Sequence, residues 1–114
     1  MIQVDVTGST EFLTEAAALA GRLQSHGRSV FEIHYFGLSF GNWTLTAGTA
    51  KRRVLVSWDG REAELTAETG VFADSQSRAV WREVLRERIE GASPVAALRH
   101  VETIIVAASG SPVA

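Results

Sequence analysis

The amino-acid sequence predicts an α+β fold: an antiparallel β-meander of about four to five strands, with an N-terminal helix and two C-terminal helices packed on one face. Three observations carry that expectation. Apolar and polar residues alternate with period two from Ser29 to Glu68, interrupted by glycines at turn spacing. One apolar stripe of helical period precedes that region, and two more follow Gly70.

Ile2, Val4 and Val6 alternate with Gln3 and Asp5 and predict a first strand. Thr7-Gly8-Ser9-Thr10 supplies turn and helix-capping residues. Phe12, Ala16, Leu19 and Leu23 then form the inner stripe of a helix. Glu11 and Glu15 near its start and Arg22 and His26 near its end suit the helix dipole, and Gly27 is placed to terminate it. A helix connects the first strand to the next, which allows a right-handed crossover that sets these two strands parallel.

From Ser29, Phe31, Ile33 and Tyr35 fall on one face of a strand, with Val30, Glu32, His34 and Phe36 on the other. Gly37 and Gly41 bound a turn, and Trp43, Leu45 and Ala47 alternate with Asn42, Thr44 and Thr46 as the next strand. Lys51–Trp58 and Arg61–Glu68 flank Asp59-Gly60, a strong hairpin signal. A two-residue loop there pairs Trp58 with Arg61, Val56 with Ala63 and Val54 with Leu65, and brings Lys51-Arg52-Arg53 to face Glu62, Glu64 and Glu68.

Beyond Gly70, Val80, Trp81, Val84, Leu85 and Ile89 form a single helical face, capped by Asp74 or Ser75 and ended by Gly91. Ser93-Pro94 opens a further helix through Leu98, Val101, Ile105 and Ala108. Its β-branched run, 101–106, is compatible with a strand as well, and helix is preferred. Residues 1–108 thus read as a single domain and 109–114 as a flexible C-terminal tail.

Composition narrows the function classes. The 114 residues are 46% hydrophobic and 21% charged, with a net charge of −2, which excludes a disordered chain and a bulk positive field for nucleic acid. The absence of cysteine excludes disulfides, a thiolate zinc site and a cysteine nucleophile. Neither a secretory leader nor a membrane-length apolar run is visible, so a cytoplasmic protein is expected, with no membrane partner.

Motifs for chemistry are weak. Gly37-Leu38-Ser39-Phe40-Gly41 matches the nucleophile-elbow pattern, but that turn must lead into a helix, and here a strand pattern follows. His26, His34 and His100 show no metal-ligand spacing. Thr7–Thr10 lacks the glycines and lysine of a phosphate loop, Glu32, between apolar neighbours on a central strand, is expected on the solvated face with no role, and Asn42-Trp43-Thr44 is a glycosylation triplet without a secretory context. Arg78, Arg82 and Arg86 make a helical stripe, but Glu83, Glu87 and Glu90 lie beside it, as on a solvated, ion-paired face. No catalytic set, cofactor or metal is expected.

The unusual feature is aromatic. Tyr35, Phe36, Phe40 and Trp43 crowd around two glycines, and Trp58 sits beside the hairpin tip opposite Arg61. Aromatic residues and arginine dominate binding hot spots. Tyr35, Phe36, Phe40, Trp43, Trp58, Arg61, Arg78 and Arg82 are therefore the partner-binding candidates. The expected function is a small non-enzymatic protein–protein interaction module, of the inhibitor, immunity or adaptor kind. The alternative is a small-molecule-binding domain or minor enzyme with a pocket near the aromatic cluster. Self-association through an unpaired edge strand or the last helix is a further expectation.

Overall fold

Six strands among the described residues form one sheet, neighbours in the sheet being neighbours in the chain, and the helices pack against one of its faces. The structure, a computed structural model, describes residues 3–7 (backbone only), 10–72 and 80–110. The elements are β1 (Gln3–Thr7), α1 (Thr10–Ser25), β2 (Ser29–Phe36), β3 (Asn42–Gly48), β4 (Arg52–Asp59), β5 (Glu64–Val71), β6 (Arg82–Arg88), α2 (Pro94–Leu98) and α3 (Val101–Ala108). Strand β1 pairs parallel with β2 across the α1 crossover, and β2 to β6 form an antiparallel meander, as the α+β expectation requires.

Helix α1 follows its sequence stripe: Phe12, Ala16, Leu19 and Leu23 are buried. It ends where Gly27 takes φ 73°, with Arg28 N–H donating to Leu23 O and Gly27 N–H to Gln24 O. That left-handed residue ties off the last carbonyls at little cost only because it is glycine. Phe12 stacks on Tyr35 with centroids 4.2 Å apart, joining α1 to the sheet. Around this pair, Trp43, Leu45, Val54, Val56, Trp58 and Leu65 supply the sheet half of the core.

The β2 pattern carries an irregularity. Register shifts between Val30 and Glu32, so Val30 joins Ile33 and Tyr35 on the buried face and the ring of Phe31 lies against the Arg53 guanidinium, 4.2 Å away. A bulge of this kind inserts one residue and reverses the alternation on one side of it.

The Asp59-Gly60 hairpin departs from the expected pairing. Asp59 pairs with Glu64, Trp58 with Leu65 and Val56 with Ala67, so the loop runs through Gly60, Arg61, Glu62 and Ala63. The Asp59 carboxylate caps this longer loop by accepting from Arg61 N–H (3.0 Å) and Glu62 N–H (3.2 Å), and Ala63 takes φ 54°. The displacement is even, so each residue keeps its face, but the expected charge partners of Lys51-Arg52-Arg53 are lost. Glu62 and Glu64 pair instead with Arg88 and Arg86.

The largest correction concerns the segment read as a helix ending at Gly91. Arg82–Arg88 is a strand, paired antiparallel with β5. The apolar spacing fits a helix, but pairing with β5 satisfies that strand's backbone and brings Arg86 and Arg88 to the acidic side chains of β5 and its loop; tertiary context overrides the local pattern. The capping residues Asp74 and Ser75, and Arg78, lie outside the described residues.

The C-terminal helix forms as expected, in two joined pieces. Ser93 Oγ accepts from Ala96 N–H (3.0 Å) and Pro94 takes the first turn. At the joint, Arg99 and His100 N–H donate to Ala96 and Ala97 carbonyls, a tighter winding that turns the chain before Val101. Val101 and Ile105 are buried despite their β-branching. Ser109, read from sequence as the start of the tail, is buried and accepts from Arg28 Nε (2.9 Å), while Arg28 also donates to the Val106 and Gly110 carbonyls. This buried arginine closes the end of α3, a role that no sequence pattern announced.

Candidate functional site

Two loops meet at one end of the sheet. The first, 37–41, joins β2 to β3; the second, 60–63, joins β4 to β5. Gly60 N–H donates to Asn42 Oδ1 (2.7 Å), and a β-carbon on Gly60 would fall 1.9 Å from Phe40 O. Gly41, at φ 69°, lies where a β-carbon would meet the Pro94 ring at 2.3 Å. Glycine is therefore required at both positions: the Phe40 backbone leaves no room for a β-carbon at Gly60, and the Pro94 ring leaves none at Gly41. Within the loop, Ser39 N–H donates to Phe36 O and Asn42 N–H to Ser39 O.

Packing on both flanks holds Phe40 at φ 59°, a region unfavourable for a bulky residue. The side chain projects outward. Leu38 is 94% exposed, Phe40 65% and Phe36 44%, and the Arg61 guanidinium lies 5.9 Å from the Phe40 ring. Two large apolar side chains on a braced loop, and a third at the end of the strand that feeds it, thus stand in water next to a cation.

The aromatic candidates separate into two sets. Phe36 and Phe40 are on this surface, with Arg61 beside them. Tyr35, Trp43 and Trp58 are buried, because the odd positions of β2 from Ile33 and of β3, and the even positions of β4, face the helices; they are core and no part of the exposed surface. Trp43 Nε1 donates to Pro94 O (3.0 Å), while Trp58 Nε1 is buried without a partner. Arg82 is exposed on β6, away from the loop, and Arg78 lies outside the described residues. Leu38 is the residue the sequence reading passed over; its signal was an apolar side chain between two turn glycines.

Behind Phe36 the open face of the sheet forms a shallow depression of about 430 Å³, whose lining includes Thr44, Ser57, Thr66, Glu64 and Arg86. Arg86 bonds Glu64 and Glu83, and the Glu83 hydrogen bond, with the charge of Glu64, raises its pKa above the ordinary arginine value. His34 Nε2 lies 3.6 Å from Glu32 Oε2 on the same face, and the His34 ring is nearly parallel to that of Phe36. Ser39 sits in a turn between two strands, without the strand-to-helix context of a nucleophile elbow. Among the described residues no cluster of three or more histidine, aspartate or glutamate side chains is placed to hold a metal ion. No helix among them is long and apolar enough to cross a membrane.

Compared with protein-family models, curated proteins and solved structures, the chain matches none.

Proposed function

We propose that this chain is a protein–protein interaction module whose contact surface is the β2–β3 loop, with Leu38 and Phe40 as anchors, Phe36 at the edge and Arg61 as the charged flank. The observation that carries the reading is the exposure of Leu38 and Phe40 on a loop braced at the cost of a positive φ at Phe40. Backbone strain and exposed large apolar groups are both unfavourable in the isolated molecule, and both fit a preorganised anchor for a partner's pocket. The partner surface this matches is an apolar cleft with an acidic rim. Inhibitor, immunity and adaptor proteins share this logic, in which a small rigid domain presents a protruding loop.

A second reading is favoured by the hydroxyl-lined depression beside Phe36, which suits a small polar ligand. One experiment separates the two. Affinity capture from the native host is run with the wild-type chain and with Leu38→Ser/Phe40→Ser, alongside a metabolite screen by thermal shift. The interaction reading expects a protein held by the wild type and released by the double variant at unchanged melting temperature. Capture indifferent to the substitutions, together with a metabolite that raises the melting temperature of both proteins, replaces it with the second reading.

A further inference from the structure

We propose that β6 pairs antiparallel with β6 of a second copy of this chain, joining two sheets across a two-fold axis between Val84 and Leu85. Strand β6 is the last in the sheet order, and among the described residues its outer side has no neighbouring strand. Apolar residues stand uncovered at this edge: Val84 is 51% exposed, and Val80, just before the strand, 88%. With Leu85 and one side of α3, including Ile104, Ala107 and Ala108, Val84 lines an apolar groove of about 360 Å³ along this edge.

The order of charges identifies the occupant. With the axis between Val84 and Leu85, Arg82 stands opposite Glu87 of the second copy, Glu83 opposite Arg86, and Val84 opposite Leu85. Moving the axis onto Leu85 sets Arg82 against Arg88 and Glu83 against Glu87; moving it onto Val84 sets Arg82 against Arg86. Like charges directly opposite are unfavourable, so neighbouring registers are disfavoured and one is selected.

The faces agree with this register. Leu85 and Glu87 stand opposite Ala67 and Leu65, on the helix side of the sheet, and Arg82 stands opposite Thr69 on that side. Glu83 and Arg86 stand opposite Glu68 and Thr66, on the open side. The register shift between Ala67 and Glu68 leaves Val84 unmatched, and it lines the same groove as Leu85. With two neighbouring residues on one face at the axis, Arg82 and Glu87, Glu83 and Arg86, and Val84 and Leu85 each share a face; a regular strand would not allow this register.

The ion pairs already made within one chain leave the complementary charges free. Arg86 is paired with Glu64 and Glu83, and Arg88 with Glu62 and Glu90, whereas Arg82 and Glu87 have no ion-pair partner among the described residues. These two are the side chains that the second copy brings together, twice per dimer. Charged residues and a bulge ordinarily guard an edge strand against indiscriminate pairing, and here their order admits one partner.

Sedimentation equilibrium of the full chain across the micromolar range tests this, using the wild type, Arg82→Glu, Glu87→Arg and the doubly swapped chain. Both positions are exposed, and circular dichroism verifies folding. The expected result is a wild-type dimer, a dissociation constant weakened at least about tenfold in each single variant, and recovery in the double variant and in an equimolar mixture of the two single variants. A wild-type monomer throughout the range, a dimer indifferent to both reversals, or a double variant and mixture that fail to recover overturns the proposal.

Discussion

The Gly60 backbone sits so close to Phe40 that a β-carbon on Gly60 would fall 1.9 Å from the Phe40 carbonyl oxygen. That contact joins the two loops and sets the angle at which the apolar loop leaves the sheet. Gly60→Ala is expected to force the loops apart, lowering stability by about 1–3 kcal/mol. Urea unfolding measures this, and a variant as stable as the wild type would show that the loops do not bear on each other.

Phe40 pays for its conformation through its β-carbon. Phe40→Gly and Phe40→Ala both remove the exposed ring, but only alanine keeps an L side chain at φ 59°. The glycine variant is expected to be the more stable of the two by about 1 kcal/mol. Thermal unfolding of the pair checks it, and an alanine variant equal to or above glycine would mean the positive φ relaxes freely.

The two core tryptophans differ in their indole nitrogens. Trp43→Phe removes the donor to Pro94 O, while Trp58→Phe removes a buried donor that has no acceptor. Trp43→Phe is therefore expected to cost more than Trp58→Phe, by about 1–2 kcal/mol. Equal losses measured by denaturant titration would assign the effect to ring volume alone.

Glu102 ties α3 to α1. Its carboxylate accepts from Arg22 Nε (2.6 Å) and lies 3.3 Å from His26 Nε2. The Arg22 hydrogen bond holds its pKa below the ordinary value of 4.5, against a smaller opposing effect of desolvation. A carboxylate with a depressed folded pKa contributes stability above its unfolded value and loses it as the pH falls through the folded one. The stability gap between the wild type and Glu102→Gln is expected above about pH 5 and to close in more acid solution. A gap that persists or widens in acid would contradict the ion-pair account.

How far the sequence disclosed the fold depends on which force decided each element. Helix α1 was legible because its stripe, its dipole charges and Gly27 agree. The meander faces were legible where the core side chains alternate, but the bulge in β2 buries Val30 in place of Phe31, which no alternation announces. The Asp59-Gly60 turn was placed correctly in the chain but not in type: the side chain of Asp59 caps a longer loop, and Gly60 is needed for a close approach to Phe40. For β6, apolar residues at helical spacing misled, because pairing with β5 decided the element: Leu85 and Ile89 pack against the core, while Val80 and Val84 stand exposed at the edge. The exposed apolar surface was half legible. Aromatic crowding marked the region, but the period-two rule that buries Tyr35, Trp43 and Trp58 also leaves Phe36 outside, while Phe40 and Leu38 depend on turn geometry that no periodicity encodes.

The central claim is that Leu38 and Phe40 anchor a partner protein. The direct measurement is site-specific photo-crosslinking in the native host, with a photoreactive phenylalanine analogue placed at position 38, at position 40 and, as a control, at Leu13, which is exposed on α1. The account predicts one discrete heterologous adduct, of the same partner from positions 38 and 40 and absent from position 13. No discrete adduct from the loop, or the same adducts from all three positions, would contradict it.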